Sequence, residues 1–135
     1  MIAKSIRTKN EDRSLAKVYF QKAGDNYNAM TAAFEQKNFN AVGTLAVQTV
    51  ISSADAVCVF EKGMRSVSQN HGDVCDLVMQ TRLPDVKEKC SALKRVIAKK
   101  NAIQYEGRNI SAKEAEDVVK WTERFFSWVS GVLVI

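Results

Sequence analysis

The chain has 135 residues, including one proline, six glycines and a single histidine, and carries a net charge of +5. That length suits one domain, because two separate cores would each be marginal. Apolar residues at 46% and charged residues at 26% argue against disorder, and so little Gly and Pro argues against a sandwich or barrel of short strands.

Apolar residues Ala16, Phe20, Ala23, Tyr27, Met30 and Phe34 recur at steps of three and four and predict an amphipathic helix over about 11–36. Lys37 and Asn38 break it, and Asn38 is placed to cap the next helix. That helix, about 39–62, carries Phe39, Val42, Ala46, Val50, Ala54, Val57 and Phe60 on one face. Asp55 is its only charge between Asn40 and Cys58, so the helix is expected to be buried on most sides. Gly63 ends it, and GMRSVSQNHG at 63–72 reads as a loop. A short helix follows at about 73–80 and Pro84 closes it. Asp85 is placed to cap a fourth helix running to about Tyr105 on the stripe Val86, Cys90, Leu93, Val96 and Ile97. Ser111 and Glu114 make a capping box for the last helix, where Ala115, Val118, Thr122, Phe125, Val129 and Val132 form the core face. No segment alternates as a strand does. The expected fold is therefore all-α, an antiparallel four-helix bundle with one short additional helix, in a single domain over 1–135.

No run of about 18 uncharged apolar residues occurs, so no membrane span is expected. The first 22 residues lack the uninterrupted apolar core of a signal peptide, which points to the cytoplasm. Cys58, Cys75 and Cys90 are odd in number and unpaired in spacing, so they read as reduced core thiols and no disulfide is expected. A zinc site joining them to His71 lacks the paired spacing of structural zinc sites, and neither metal nor cofactor is expected. The chain ends on Val132 to Ile135, four apolar residues that must be covered by the core or by another subunit.

One loop gathers groups able to do chemistry. Arg65 can bind phosphate oxygens bidentately, and His71 can move a proton near neutral pH. Ser68 and Asn70 lie between them. The pair fits metal-independent phosphodiester cleavage. The alternative is structural: His71 opens the short helix and hydrogen-bonds a backbone carbonyl, while Arg65 packs over the end of the bundle. Asp55, in its uncharged surroundings, must meet a cation or face a cleft; Arg65, His71 or a lysine can serve, and Ser52 and Ser53 beside it either line that cleft or pack closely. Lys87 to Lys100 is the densest basic stretch, with six basic residues against Glu88, and is compatible with either nucleic acid or plain solvation.

The long helix, brief break and alanine-rich second helix (FQKAGDNYNAMTAAFEQKNFNAVGTLAVQTVISSADAVCVFEKG), the NHGDV segment at 70–74 and the closing KKNAIQYEGRNISAKEAEDVVKWTERFFSWV together resemble the HEPN superfamily of nucleotide-binding helical bundles. Active members of that family carry Arg and His with four to six residues between them. Here Ser66 follows the arginine and the pair precedes the short helix, which resembles the branches without established nuclease chemistry. The resemblance implies Arg65 and His71 as candidate catalytic residues, with Asp55 and Tyr105 in support; the loop and basic stretch read above add Ser68, Asn70, Lys94, Lys99 and Lys100 as candidates for binding or support. It further implies an accessory protein associated with RNA or nucleotides, such as a toxin–antitoxin component with weak or lost ribonuclease activity. Its expected partners are a second copy in a homodimer, RNA or a nucleotide, or a nucleotidyltransferase-type protein. The competing expectation is a non-catalytic interaction module that docks a partner through the basic face or the apolar C-terminal tail.

Overall fold

The computed structural model describes residues 5–133. Among them are two short strands, β1 (Thr8–Asn10) and β2 (Met64–Ser66), and five α-helices: α1 (Ala16–Glu35), α2 (Phe39–Lys62), α3 (Gly72–Met79), α4 (Val86–Glu106) and α5 (Ala112–Val132). The fold is thus mostly helical, as the apolar periodicity predicts. Helix α2 lies at its centre and touches α1, α3, α4, α5 and β2. Its Val42, Val50 and Val57 are fully buried together with Met30 of α1, Leu77 of α3, Leu93 and Val96 of α4, and Phe125 and Val129 of α5. By length and composition α2 could also cross a membrane, yet 72% of its most apolar 18-residue window is buried within the fold. Between α1 and α5, Phe126 stacks on Phe20 at 5.1 Å and on Tyr27 at 4.5 Å between ring centroids.

The expectation that no segment forms a strand is corrected. β1 and β2 pair antiparallel, with Thr8 opposite Ser66, Lys9 opposite Arg65 and Asn10 opposite Met64. Three residues a side are too few to leave an alternation, and the strands are held by backbone pairing, not by an apolar face. The segment 63–72 is therefore part strand and part loop. Gly63 does end α2 in the left-handed conformation, at φ 66°. The first helix starts at Ala16, where its apolar stripe begins, and later than the expected start near residue 11. Residues 13–15 instead make a 3-10 turn, with the Asp12 carboxylate accepting the Ser14 amide at 2.8 Å.

Two predicted caps are also corrected. Asn38 and Asp85 occupy the N-cap positions of α2 and α4, but neither side chain bonds its helix amides. Asn38 Nδ2 donates to Gln36 instead, and Asp85 sits at φ 64°, a conformation that turns the chain sharply into α4. The capping box at the start of α5 forms as expected: the Glu114 amide donates to Ser111 Oγ, and the Ser111 amide donates to Glu114 Oε1, both at 3.1 Å. Arg108 adds a bidentate pair to Glu114, two N–H···O bonds of 2.7 Å, and also bonds Glu106. Arg108 first, then the Ser111 amide, hold the Glu114 carboxyl far below the usual carboxylate range. The loop before α5 is anchored on α2, where Asn40 Oδ1 accepts the Ile110 amide at 2.9 Å. At the C-terminal end Leu133 belongs to the core and Val132 is half-buried, while Val134 and Ile135 lie outside the described residues.

The link between α1 and α2 carries a testable strain. Lys37 sits at φ 62°, and the Lys37 and Asn38 amides close the helix end on the carbonyls of Phe34 and Ala33. A side chain in the left-handed region costs roughly 1–2 kcal/mol, and glycine removes that strain at some entropic cost in the unfolded chain. Lys37→Gly, at an exposed position, is expected to raise stability by up to about 1 kcal/mol. Thermal melts followed by circular dichroism check it; a lower melting temperature would contradict the assignment.

Candidate functional site

Arg65 is placed by β2, and its guanidinium does not stand free. Its Nε donates to Glu11 Oε1 at 3.2 Å, and the group lies 5.5 Å from the centroid of the Tyr19 ring. The same Glu11 oxygen accepts the Tyr19 hydroxyl at 3.0 Å and faces Lys9 Nζ at 3.7 Å. Lys22 also lies over the Tyr19 ring, at 5.5 Å. Bonds from Arg65 and then Tyr19 hold the Glu11 carboxyl below its ordinary range.

Asp55, from the middle of α2, points toward this cluster. It is half-buried and makes no hydrogen bond or ion pair within 4 Å among the described residues. Burial raises its carboxyl to about 7; Arg65 and Lys22 pull it down, and Glu11 pushes it up. Of the two serines beside it, Ser53 is buried and donates to the Thr49 carbonyl at 2.7 Å, while Ser52 is half-buried. The cysteines behind α2 are buried and free. Burial raises the Cys75 and Cys90 thiols to about 12 and about 11, which leaves neither an effective nucleophile near neutral pH. Among the described residues, no group of three or more His, Cys, Asp or Glu side chains is gathered as metal ligands would be.

The segment from Ser66 to Asp73 spends its polar side chains on its own backbone. Ser66 Oγ accepts the Ser68 amide, Ser68 Oγ accepts the Asn70 amide, and Asn70 Oδ1 accepts the Gly72 amide, at 3.3, 3.1 and 2.9 Å. Ser68 Oγ also donates to Asp73 at 2.7 Å. These are turn-forming bonds that lead the chain into α3. His71 is exposed at the N-cap of α3, where its carbonyl accepts the Val74 amide at 3.2 Å. It thus opens α3, as the structural alternative has it, but among the described residues its imidazole bonds no carbonyl, and no hydrogen bond or charge interaction joins it to Arg65.

The remaining candidates lie on α4. Lys94 is exposed, Lys99 Nζ is 3.7 Å from Glu114, the Lys100 stem runs beside Gly43, and Tyr105 is 93% exposed. They do not converge on one another. The convergence is instead between α4 and α5. A shallow depression of about 620 Å³ is lined by Lys87, Lys89 and Arg95 from α4 and by Arg124 from α5, together with Asp85 and Glu88. A second, of about 590 Å³, shares Asp85, Lys89 and Arg124 and extends to Lys120, Glu123 and Trp128. A third, of about 350 Å³, lies farther along α4 between Arg95, Lys99, Ala98, Ala102 and Trp121. Trp128 is oriented by its indole N–H, which donates to the Pro84 carbonyl at 3.1 Å. Lys87, Lys89, Arg95 and Arg124 have no carboxylate within 4 Å among the described residues. The Trp121, Arg124 and Trp128 spacing of three and four was the available signal for this face; its meaning depends on which α4 residues it meets.

Asp55 yields a pH prediction. Because its folded-state pKa lies above its unfolded value, the folded protein binds the extra proton between about pH 4 and 7, and stability falls as pH rises through that window. Asp55→Asn should leave stability near pH 4 almost unchanged and raise it at pH 8, by up to roughly 4 kcal/mol. Denaturant titrations at the two pH values check this, and an equal effect at both would contradict it.

Comparison of the chain with family models, with curated proteins and with solved structures yields no significant match.

Proposed function

We propose that this chain is a HEPN-like accessory protein that associates with RNA or nucleotides without cleaving them, its four long helices forming the antiparallel bundle of that family. The observation that carries an anionic ligand is the meeting of Arg95 and Arg124, with Lys87 and Lys89, around one depression and with no carboxylate within 4 Å of them among the described residues. Cations held in this way keep their charge for an external phosphate, and arginine suits phosphate geometry best.

Binding without cleavage is favoured by the state of Arg65 and its loop. A guanidinium that stabilises a phosphorane-like transition state must present its charge to the substrate. That of Arg65 is already compensated by Glu11 and stacked on Tyr19, while Ser68 and Asn70 are occupied in turns. The same reading makes the chain a toxin–antitoxin component with weak or lost ribonuclease activity, acting as a homodimer or beside a nucleotidyltransferase-type partner.

The test is RNA binding by fluorescence anisotropy beside a cleavage assay on the same oligonucleotide. Pure protein should bind with an affinity that falls steeply with salt and should leave the strand intact. His71→Ala should bind within about twofold of the parent, as expected for a residue outside the phosphate contacts. Cleavage that disappears in His71→Ala would overturn the non-catalytic reading, and absence of RNA binding at low salt would overturn the reading as a whole.

A further inference from the structure

We infer that the furrow between α4 and α5 is a binding site for single-stranded RNA, in which phosphates meet Arg95 and Arg124 and bases stack on Trp121 and Trp128. The inference rests on the RNA-associated reading above and adds the site, the strandedness of the ligand and the means of contact.

Three features of the furrow point the same way. First, it is long: from Asp85 to Ala102 along α4 the lining residues span about 25 Å at 1.5 Å per residue. That is the reach of a few nucleotides, not of one mononucleotide. Second, neither Arg95 nor Arg124 has an ion-pair partner within 4 Å among the described residues, although the neighbouring Lys99 and Lys120 are paired with Glu114 and Glu116. Third, both tryptophans of the chain line it. Each is half-buried, so a ring that packs on the helices still presents part of its surface to the furrow. Small residues on α4, Ser91, Ala92, Ala98 and Ala102, keep the floor low enough for a flat base to approach.

The combination discriminates among ligands. A basic strip alone would take any polyanion, whereas base stacking requires faces that a duplex keeps covered. Arginines flanked by tryptophans therefore favour a single strand over a duplex of the same charge density.

Because Trp121 and Trp128 are the only tryptophans, tryptophan emission excited beyond the tyrosine absorption reports on this furrow alone. The experiment titrates the full chain with a fluorescein-labelled 12-nucleotide single-stranded RNA for anisotropy, and with the unlabelled strand for tryptophan emission. Saturable quenching should track the anisotropy curve. Arg95→Glu/Arg124→Glu, both at exposed positions, should lose at least tenfold in affinity and most of the quenching while keeping the parental circular dichroism spectrum. Lys17→Glu/Lys37→Glu, with the same charge change on α1 and in the link that follows it, should stay within about threefold. A 12-base-pair duplex of the same sequence should bind at least fivefold more weakly. An anisotropy rise without quenching, or an affinity indifferent to the two arginines, would overturn this site and leave the RNA-associated reading standing. A duplex that binds as tightly as the strand would overturn the stacking, and an absence of any anisotropy rise would overturn both.

Discussion

The structure depends on burying α2 from several sides at once. The helix presents almost no charge between Asn40 and Cys58, so any face left open to water would forfeit apolar burial worth about 25 cal/mol per Å². The other four helices and β2 are arranged around it. Small residues make this possible: Ala46, Ala54 and Ala56 are fully buried, and Gly43 admits Ile110 so closely that a Cβ there would overlap the Ile110 Cδ1 atom. That contact, with the Asn40 bond to the Ile110 amide, ties the loop before α5 to the first turns of α2. The position of α5 against α4, and hence the furrow between them, follows from this anchorage and from the Arg108–Glu114 pair at the start of α5.

The same constraint explains the polar cluster at the other end of α2. Asp55 is the one carboxylate placed within the helix's apolar surroundings, and half-burial without a hydrogen bond disfavours its charged form. Arg65 and Lys22 partly relieve this, but Arg65 is shared with Glu11 and the Tyr19 ring. A guanidinium engaged with three neighbours serves to fasten β1, α1 and β2 over α2. The turn from Ser66 to Asp73 has a comparable role, its hydroxyls and amides closing a chain reversal into α3.

The helices were legible because each buries a stripe with a 3.6-residue period; α2 runs from the start of its stripe to Gly63, and α5 from its capping box to the end of its stripe. The Ser111–Glu114 box is equally local and was readable as such. The strands were not, because three-residue pairings between Thr8–Asn10 and Met64–Ser66 leave no side-chain pattern. Asp55 stood out in the sequence as a lone charge, but its surroundings depend on Glu11, Tyr19 and Lys22, which lie 30 or more residues away. Arg65 looked available because Glu11, its partner, is 54 residues distant in the chain. The furrow escaped notice for a similar reason. Arg95 and Lys99 on one helix, and Trp121, Arg124 and Trp128 on another, form a shared surface only once the register of α4 against α5 is known.

The proposed ligand-binding surface lies between α4 and α5 and not at the Arg65–His71 turn. Mapping backbone and indole amide shifts by nuclear magnetic resonance, as single-stranded RNA is added to isotope-labelled protein, tests it most directly. The account predicts perturbations concentrated between Lys87 and Lys99, between Lys120 and Trp128, and at both indole N–H groups. Perturbations centred on residues 64–73, with the indole signals unmoved, would contradict it.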